Sequence, residues 1–245
     1  MSFTEIKAEE KSIGEHIDEL RKKILIALIV FAVGVTIAHV FNAEIIEFLL
    51  KPANTQKLIF LSPLEPLFFI FQIDLIGGFI FSFPVMLWLL FSYISPAFSD
   101  KINKKIIFFY IASTLLLIIG LFYAFFVVAP ISLKFLFSIT IPGIENSFST
   151  QKYLSFFITQ AIIVIMVFQV PIVIIGGVYL KILKTKFLAV KRKFIYLGLL
   201  IALAVITPTT DLFSLAILFA PCIIIFEISL MIGRLIEKFQ KQNIA

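Results

Sequence analysis

Residues 12–24 of this chain read SIGEHIDELRKKI, and an apolar run follows them as far as Phe41. Apolar side chains recur in this stretch at spacings of four, three and four, at Ile13, Ile17, Leu20 and Ile24. That period places them on one face of a helix and the charged residues on the other. Ser12 and Glu15 match the two positions of a capping box, which marks the start of a helix. The stretch therefore predicts an amphipathic helix that lies on a membrane surface and then enters the membrane.

The composition of the chain is that of a membrane protein. Hydrophobic residues make up 61% of the sequence and charged residues 15%, whereas soluble domains are about 45–50% apolar. The apolar residues come in long blocks, without the ten-residue alternating pattern of a transmembrane barrel. Because a helix satisfies its own backbone polar groups in lipid, the blocks predict an all-α integral membrane protein.

Six membrane spans can be placed along the sequence, at 24–41, 67–95, 106–129, 153–180, 194–206 and 212–232. The fifth run has only 13 residues, about 20 Å of helix against a hydrocarbon core of about 30 Å. We therefore expect a thinned bilayer beside spans five and six. The chain is predicted to form one domain over 1–245, with a surface helix at 1–23, the bundle at 24–232 and a tail at 233–245.

Basic residues show which side of the membrane each segment faces. Seventeen of the 21 Lys and Arg residues lie in the N-terminal segment, the C-terminal tail and the loops at 96–105 and 181–193. Because such residues concentrate on the cytoplasmic side, both termini are predicted to be cytoplasmic. The net charge of +6 therefore reflects membrane topology and does not indicate nucleic-acid binding.

Residues that could support catalysis are sparse. Cys222 is the single cysteine, so no intrachain disulfide can form. His16 and His39 are the only histidines and occupy different regions, which gives a metal site little support. Motifs of nucleotide-binding loops, hydrolases and metalloproteases are missing. The sequence predicts neither an enzyme nor a protein that needs a cofactor.

Several short motifs follow one another along nearly the whole chain: HIDELRKKIL at 16–25, LSPLEPLF at 61–68, FPV at 83–85, SPA at 95–97, YAFFVVAP at 123–130, QVP at 169–171, TPTTD at 207–211 and FEIS at 226–229. In these motifs, their order and the six spans, the chain resembles the TatC family. TatC is the multi-spanning receptor subunit of the twin-arginine protein translocase.

The resemblance implies a concave bundle of six transmembrane helices. Its cytoplasmic face would bind the Arg-Arg motif of signal peptides on folded cargo, and single-span TatA and TatB-type proteins would be its partners. It also implies a homo-oligomer within the receptor complex, export driven by the protonmotive force, and location in the cytoplasmic (inner) membrane or an organellar membrane.

The first motif contains the main candidate for signal-peptide binding. Glu19 matches the family's glutamate, and the resemblance implies that it binds an arginine of the peptide, with Leu20 and Arg21 beside it. Carboxylates form bidentate, charge-assisted hydrogen bonds with guanidinium groups. Taken alone, the spacing of Glu19 and Lys23 predicts a local surface ion pair, worth only about 0.3–0.5 kcal/mol.

A second glutamate that the family carries in the first cytoplasmic loop is missing here, since Ile102 or Asn103 occupies its place. Asp100 is the nearest acid, and it either substitutes for that glutamate or merely caps the loop. Tyr93 matches an aromatic position near the loop. It either packs on the peptide or anchors the chain at the membrane interface.

Gln169 lies where the family has Glu or Gln in span four. It is expected either to dock a partner's transmembrane helix or to bond the Val167 carbonyl that Pro171 leaves free. The resemblance also places Thr207, Pro208 and Asp211 on a partner-binding edge formed by the short spans five and six.

A further group of residues is expected to set the shape of the protein: Pro52, Glu65, Pro84, Pro130 and Glu227. Span three is expected to end at Pro130, with an outside loop over 131–152 and an inside loop over 98–105. Glu227 lies within span six, where a carboxyl is costly unless it is protonated or faces protein. An internal hydrogen bond is the favoured interpretation and proton coupling the alternative.

A multi-pass secondary transporter or channel is the main alternative function. Asp74, Gln169 and Glu227 would then line a path through the membrane. Their different depths, and the lack of a pair of broken helices repeated between the halves, argue against it. A purely structural assembly factor is a third possibility.

Overall fold

The computed structural model describes residues 13–53, 58–94, 100–139, 147–206 and 212–242. Its helices are α1 (Ile13–Val40), α2 (Asn42–Leu50), α3 (Glu65–Ile94), α4 (Asp100–Tyr123), α5 (Ala129–Ser138), α6 (Thr150–Tyr179), α7 (Thr185–Val190), α8 (Arg192–Ile206) and α9 (Leu212–Gln242). A 3-10 turn at Lys51–Ala53 follows α2, and a π-helical segment at Ala124–Val128 joins α4 to α5. Two short strands, β1 (Leu58–Ile59) and β2 (Phe148–Ser149), pair in parallel.

Membrane spans account for most of the fold. The described residues contain five helical stretches that are long and apolar enough to cross a bilayer: Gly14–Val40, Glu65–Tyr93, Ile106–Ser138, Thr150–Tyr179 and Leu215–Gln240. They correspond to the predicted spans one, two, three, four and six. The predicted fifth span lies within α8, whose 15 residues extend about 22 Å. Apart from the short β1–β2 pair, the chain is a helical, multi-pass membrane protein, as the composition predicts.

The part of the predicted surface helix that the structure describes, from Ile13, forms one helix with the first span. α1 runs without interruption through Lys23 and Ile24, where the sequence suggested a change from the surface to the interior of the membrane. Ser12, the predicted cap, lies outside the described residues. Because the amphipathic turns continue directly into the span, the backbone that carries their charged side chains is fixed relative to the helix that packs against α1.

That neighbour is α3, which packs against α1 through small residues. A Cβ atom on Gly34 would lie 2.6 Å from the Gly78 carbonyl oxygen, and one on Gly77 would lie 2.7 Å from Ala38 Cβ. Membrane helices use such residues to bring their backbones close together. The contact of Gly34 with Gly78, together with that of Lys23 with Ser92, shows that α1 and α3 are antiparallel.

The predicted end of span three at Pro130 is wrong. The helix continues through the π-helical segment and α5, so the apolar stretch reaches Ser138 and residues 131–138 are helical rather than loop. Pro130 directly follows the π-helical segment, and a local π adjustment is one way in which a membrane helix accommodates a residue without an N–H donor. The proline therefore lies within the span instead of ending it.

The centre of the protein is α6, which packs against α4 on one side and α9 on the other. Its side chains join a buried cluster with the π-helical segment, α8 and α9, made of Ala124, Val128, Ala161, Ile163, Val164, Phe168, Leu203, Leu218 and Cys222. Nearer the other end of α6, Ile174 and Val178 pack with Phe226 and Leu230 of α9. At the start of α6, the Tyr153 hydroxyl donates a hydrogen bond to the Leu49 carbonyl at 2.7 Å, which ties α2 to the bundle.

Candidate functional site

The start of α1 and the end of α3 form a corner of polar and aromatic side chains. The His16 ring stacks on the Tyr93 ring, with 4.7 Å between the centroids and 25° between the planes. Lys23 Nζ donates a hydrogen bond to Ser92 Oγ at 3.1 Å and lies 5.6 Å from the centre of the Tyr93 ring. The antiparallel packing of the two helices thus brings the first motif against Tyr93.

Glu19 belongs to the same corner. Its Oε1 atom lies 2.9 Å from Lys23 Nζ, and the two side chains are only 22% and 16% exposed. The ion pair that the i, i+4 spacing predicts is therefore present, but it is not an isolated surface pair, since Lys23 also binds α3. Glu19 and Tyr93, two predicted site residues, are brought together through Lys23.

The other three predicted signal-peptide residues are placed differently. Leu20 and Arg21 are exposed on α1, beside the corner. Asp100 is the first residue of α4, so residues 100–105, predicted as loop, are helical. The described structure does not extend to the Asp100 side chain, and residues 95–99, which join α3 to α4, lie outside the described residues.

Gln169 is bonded to a neighbouring helix. The Ser113 hydroxyl of α4 donates to Gln169 Oε1, and Gln169 Nε2 donates to the Ser113 carbonyl at 3.3 Å. The Val167 carbonyl is not among the described partners of this amide. The same side chain lines a groove of about 530 Å³ between α3 and α6, with Phe79, Phe83, Ile162, Ile165, Met166, Val170, Val173 and Ile174. Thr207, Pro208 and Asp211 lie outside the described residues.

Glu227 is half-buried and is held against α8. The Tyr196 hydroxyl donates to Glu227 Oε1, and Arg192 Nη2 lies 3.0 Å from Glu227 Oε2. The internal hydrogen bond favoured from the sequence is thus present. The ion pair also explains how a carboxylate is tolerated in a membrane helix, because a neighbouring cation offsets its desolvation.

Three of the residues expected to set the shape lie at a helix start, in a 3-10 turn and inside a helix. Glu65 is the first residue of α3 and its Oε2 accepts a hydrogen bond from the Leu61 N–H at 2.7 Å. A carboxylate at this position also suits the positive end of the helix dipole. Pro52 lies in the 3-10 turn after α2, and Pro84 lies inside α3.

The polar groups that a transporter would need are each engaged with another side chain of the protein. Asp74 Oδ2 lies 2.7 Å from His39 Nδ1, Gln169 binds Ser113 and Glu227 binds α8. These contacts join three different helix pairs and do not line one path. Among the described residues, no three His, Cys, Asp or Glu side chains come together as a metal site would require.

The sequence did not predict which side chains contact Tyr93, Lys23 and Gln169. Ser92 is 69 positions from Lys23, and Ser113 is 56 positions from Gln169, so no helical spacing relates these partners. His16 could have been found, because it opens the first motif. Ser92 and Ser113 gave no signal, since a serine in an apolar helix is common.

A model of the family "Sec-independent protein translocase protein (TatC)" matches residues 15–221. The protein of that name from Carboxydothermus hydrogenoformans is 30% identical over 225 residues, covering 91% of this chain and 93% of its own. The Aquifex aeolicus protein is 30% identical over 234 residues, covering 93% and 97%.

Two solved structures agree with these matches. A crystal structure of the twin-arginine translocase receptor TatC is 31% identical, covers 91% of this chain and 100% of its own, and superposes with a TM-score of 0.77. A second, in the detergent DDM, gives 30% identity, coverage of 89% and 99%, and a TM-score of 0.79. The chain belongs to the TatC family of Sec-independent protein translocase subunits, whose role is transport rather than enzyme catalysis.

Proposed function

We propose that this chain is the receptor subunit of a twin-arginine translocase and that the corner of α1 and α3 binds the Arg-Arg motif of signal peptides. The observation that supports the proposal is the position of Glu19, whose partner Lys23 also binds Ser92 of α3. Lys23 Nζ lies 2.9 Å from the Glu19 carboxylate, and we propose that a peptide guanidinium takes its place. The carboxylate is thus held where it can accept N–H donors.

An exchange of partners explains how arginine would be preferred. Lys23 offers a single ammonium to Glu19, whereas a guanidinium offers two parallel donors that match a carboxylate. The partial screening of Glu19 from water strengthens such bonds. Tyr93, which already lies near Lys23, offers a ring face to a cation or to the apolar part of the peptide.

The proposal can be tested by measuring the affinity of full-length protein in nanodiscs for a twin-arginine signal peptide. Glu19→Gln removes the charge and keeps the size, and should weaken binding about 10-fold or more, because a hydrogen bond to a charged group contributes about 1.5–3 kcal/mol. Asp18→Asn is the matched control, since Asp18 is an exposed acid on the neighbouring face of α1. Equal effects of the two substitutions, or no effect of Glu19→Gln, would contradict the proposal.

We also propose that single-span partners of the TatA and TatB type dock in the groove between α3 and α6. Gln169 uses one N–H and one lone pair of its side-chain oxygen on Ser113, and an amide has a second of each. A polar group of this kind strengthens contacts between membrane helices. The short α8 and residues Thr207, Pro208 and Asp211, which follow it in the sequence, are proposed as a further edge of the same binding region. A second copy of the chain is proposed as another component of the complex.

Photo-crosslinking from the groove tests partner docking. A photoreactive residue at Met166 or Val173, both exposed and lining the groove, should crosslink to a single-span partner. Leu28 of α1 is a comparably exposed control away from the groove. Crosslinks of equal yield from Leu28, or none from the groove, would exclude this docking site.

A further inference from the structure

A second polar pocket lies where α6 ends, far along the chain from the α1–α3 corner. It has a volume of about 430 Å³ and is lined by Val178, Lys181, Leu183, Lys184, Lys186, Glu237 and Gln240. Three of the lining residues are lysines within six positions of one another. The volume falls in the range of about 300–1,000 Å³ that small-molecule sites have. The pocket is thus large enough, and basic enough, for an anionic group.

The backbone at Lys181 is unusual. This residue has a φ of 61°, the left-handed conformation in which helices commonly end with glycine. The turn is closed by Ile182 N–H and Leu183 N–H, which both donate to the Gly177 carbonyl at 2.9 Å. A lysine adopts this conformation at a cost that glycine avoids. A strained residue of this kind is a reason to look for a function of its side chain.

The acid and the amide of the pocket are engaged in holding the loop. Glu237 Oε1 accepts from the Thr185 N–H at 2.8 Å and its Oε2 from the Thr185 hydroxyl at 2.6 Å. Gln240 Nε2 donates to the Tyr179 carbonyl at 3.0 Å. These bonds fix the α6–α7 turn against the last turns of α9. These bonds therefore hold the backbone that carries the lysines in place, and Glu237 anchors the start of α7.

Large apolar side chains are exposed beside these lysines. Ile182 lies between Lys181 and Lys184 in the sequence and is 72% exposed, and Phe187 follows Lys186 and is 61% exposed. Val190 and Phe194 continue this exposed apolar series. Apolar residues next to lysines at the end of a span are typical of the membrane interface, where headgroups meet the hydrocarbon. A soluble anion would gain nothing from them.

We propose that this pocket binds the phosphate headgroup of an anionic phospholipid, with the exposed apolar residues against its acyl chains. The three ammonium groups would receive the phosphate, and the positive φ at Lys181 would keep one of them directed by a rigid turn. Basic pockets between spans on the cytoplasmic side are a known kind of headgroup site. The basic 181–193 loop is on the side predicted to be cytoplasmic, which fits this leaflet.

Native mass spectrometry of the full-length protein, titrated with phosphatidylglycerol or phosphatidylcholine, tests the proposal. The wild type should bind phosphatidylglycerol more tightly than phosphatidylcholine. Changing Lys181, Lys184 or Lys186 to Gln should each weaken phosphatidylglycerol binding about fivefold, since a basic residue near an anionic surface contributes about this factor. The control replaces Lys191, Lys193 and Lys238, exposed basic residues that do not line the pocket, and should retain the preference.

Lys181→Gly separates binding from folding. Glycine suits the left-handed turn, so this variant should melt at the same temperature as the wild type or higher, yet bind phosphatidylglycerol about fivefold more weakly. Three results would overturn the proposal: an equal loss in the control variant, equal binding of phosphatidylcholine, or displacement of the lipid by equimolar glycerol phosphate. The last would show that the ligand is a soluble phosphate.

Discussion

At the scale of single residues, the two interpretations of Glu19 are compatible. The spacing of four residues predicted its ion pair with Lys23, and the structure contains that pair at 2.9 Å. The spacing could not predict that Lys23 also binds Ser92, which is 69 positions away. The pair lies within α1, but the bond from Lys23 to Ser92 of α3 holds it in the corner of the two helices, unlike an isolated surface pair.

Lys23 is the internal competitor of a bound arginine in this account. Lys23→Gln should therefore tighten the binding of a twin-arginine peptide by about twofold, since a pair at this spacing is worth about 0.3–0.5 kcal/mol. Fluorescence titration in nanodiscs measures the change. Lys22→Gln is the control, because it removes a charge from the exposed neighbouring residue. It should have only a slight effect on binding and should not tighten it. Weaker binding by Lys23→Gln would show that Lys23 positions the peptide instead.

For Gln169 and Glu227 too, the sequence predicted the residue but not its partner. Sequence reasoning found both residues, because polar groups in apolar helices stand out. It could not find their partners Ser113 and Arg192, which depend on how α4 and α8 pack. Residues of the site were thus accessible from the sequence, whereas their bonds required the arrangement of the helices.

At the scale of helices, α1 and α3 are held together by the fit of small residues. A Cβ on Gly78 would lie 2.7 Å from Val35 N and 2.8 Å from Val35 Cα, both backbone atoms. Neither can move without shifting α1. Because the candidate site lies at one end of this pair, its geometry depends on the contact.

Gly78→Ala should therefore lower the stability of the protein, by about 1–3 kcal/mol as overpacking does elsewhere. Thermal unfolding in detergent, followed by circular dichroism, measures the effect. Gly198→Ala is the matched control, since a Cβ at Gly198 meets nothing within 4 Å, and it should leave the melting temperature unchanged or raise it. A melting temperature of Gly78→Ala equal to that of the control would mean that the helices are not packed as described.

The pair of α8 and α9 gives a test of the two interpretations of Glu227. If the carboxylate is structural, Glu227→Gln should destabilise the protein by about 1–3 kcal/mol, because Arg192 loses its charged partner. Glu47→Gln, an exposed acid of α2, is the control in the same unfolding assay. Unchanged stability combined with lost export would favour proton coupling and contradict the structural role.

The end of span three shows what local patterns cannot decide. Pro130 has the same sequence appearance whether it ends a helix or begins one, and the segment before it is uniformly apolar. Only the π-helical turn at Ala124–Val128, which lets the chain continue in register, distinguishes the two. Hydropathy therefore located the span, while its end depended on backbone geometry.

At the scale of the whole molecule, hydropathy and charge predicted the class of fold well. Long apolar helices are dictated by the need to satisfy backbone groups in lipid, so the helical class of the fold follows from the long apolar blocks of the sequence. α8 is the exception in length, at about 22 Å. The position of the candidate site was less accessible, because it arises where two spans meet that are far apart in the sequence.

The short α8 predicts a locally thin bilayer. Spin labels at the exposed positions Phe194 and Val205, near the two ends of α8, should both report shallow depths, near the two interfaces. Labels at Met166 and Val173 of α6 provide the reference for a span of full length. Depths at Phe194 or Val205 that match the bilayer centre would argue against thinning.

We propose above that Glu19 and the α1–α3 corner bind the twin arginines. A photoreactive probe beside the Arg-Arg pair of a signal peptide, used with the full-length protein in nanodiscs, tests this binding site. Crosslinks to residues 13–24 and to Tyr93 are expected, and they should be lost when Glu19 is changed to Gln or when the peptide carries Lys-Lys. Crosslinks that persist in the Glu19→Gln protein, or that map to other helices, would contradict it.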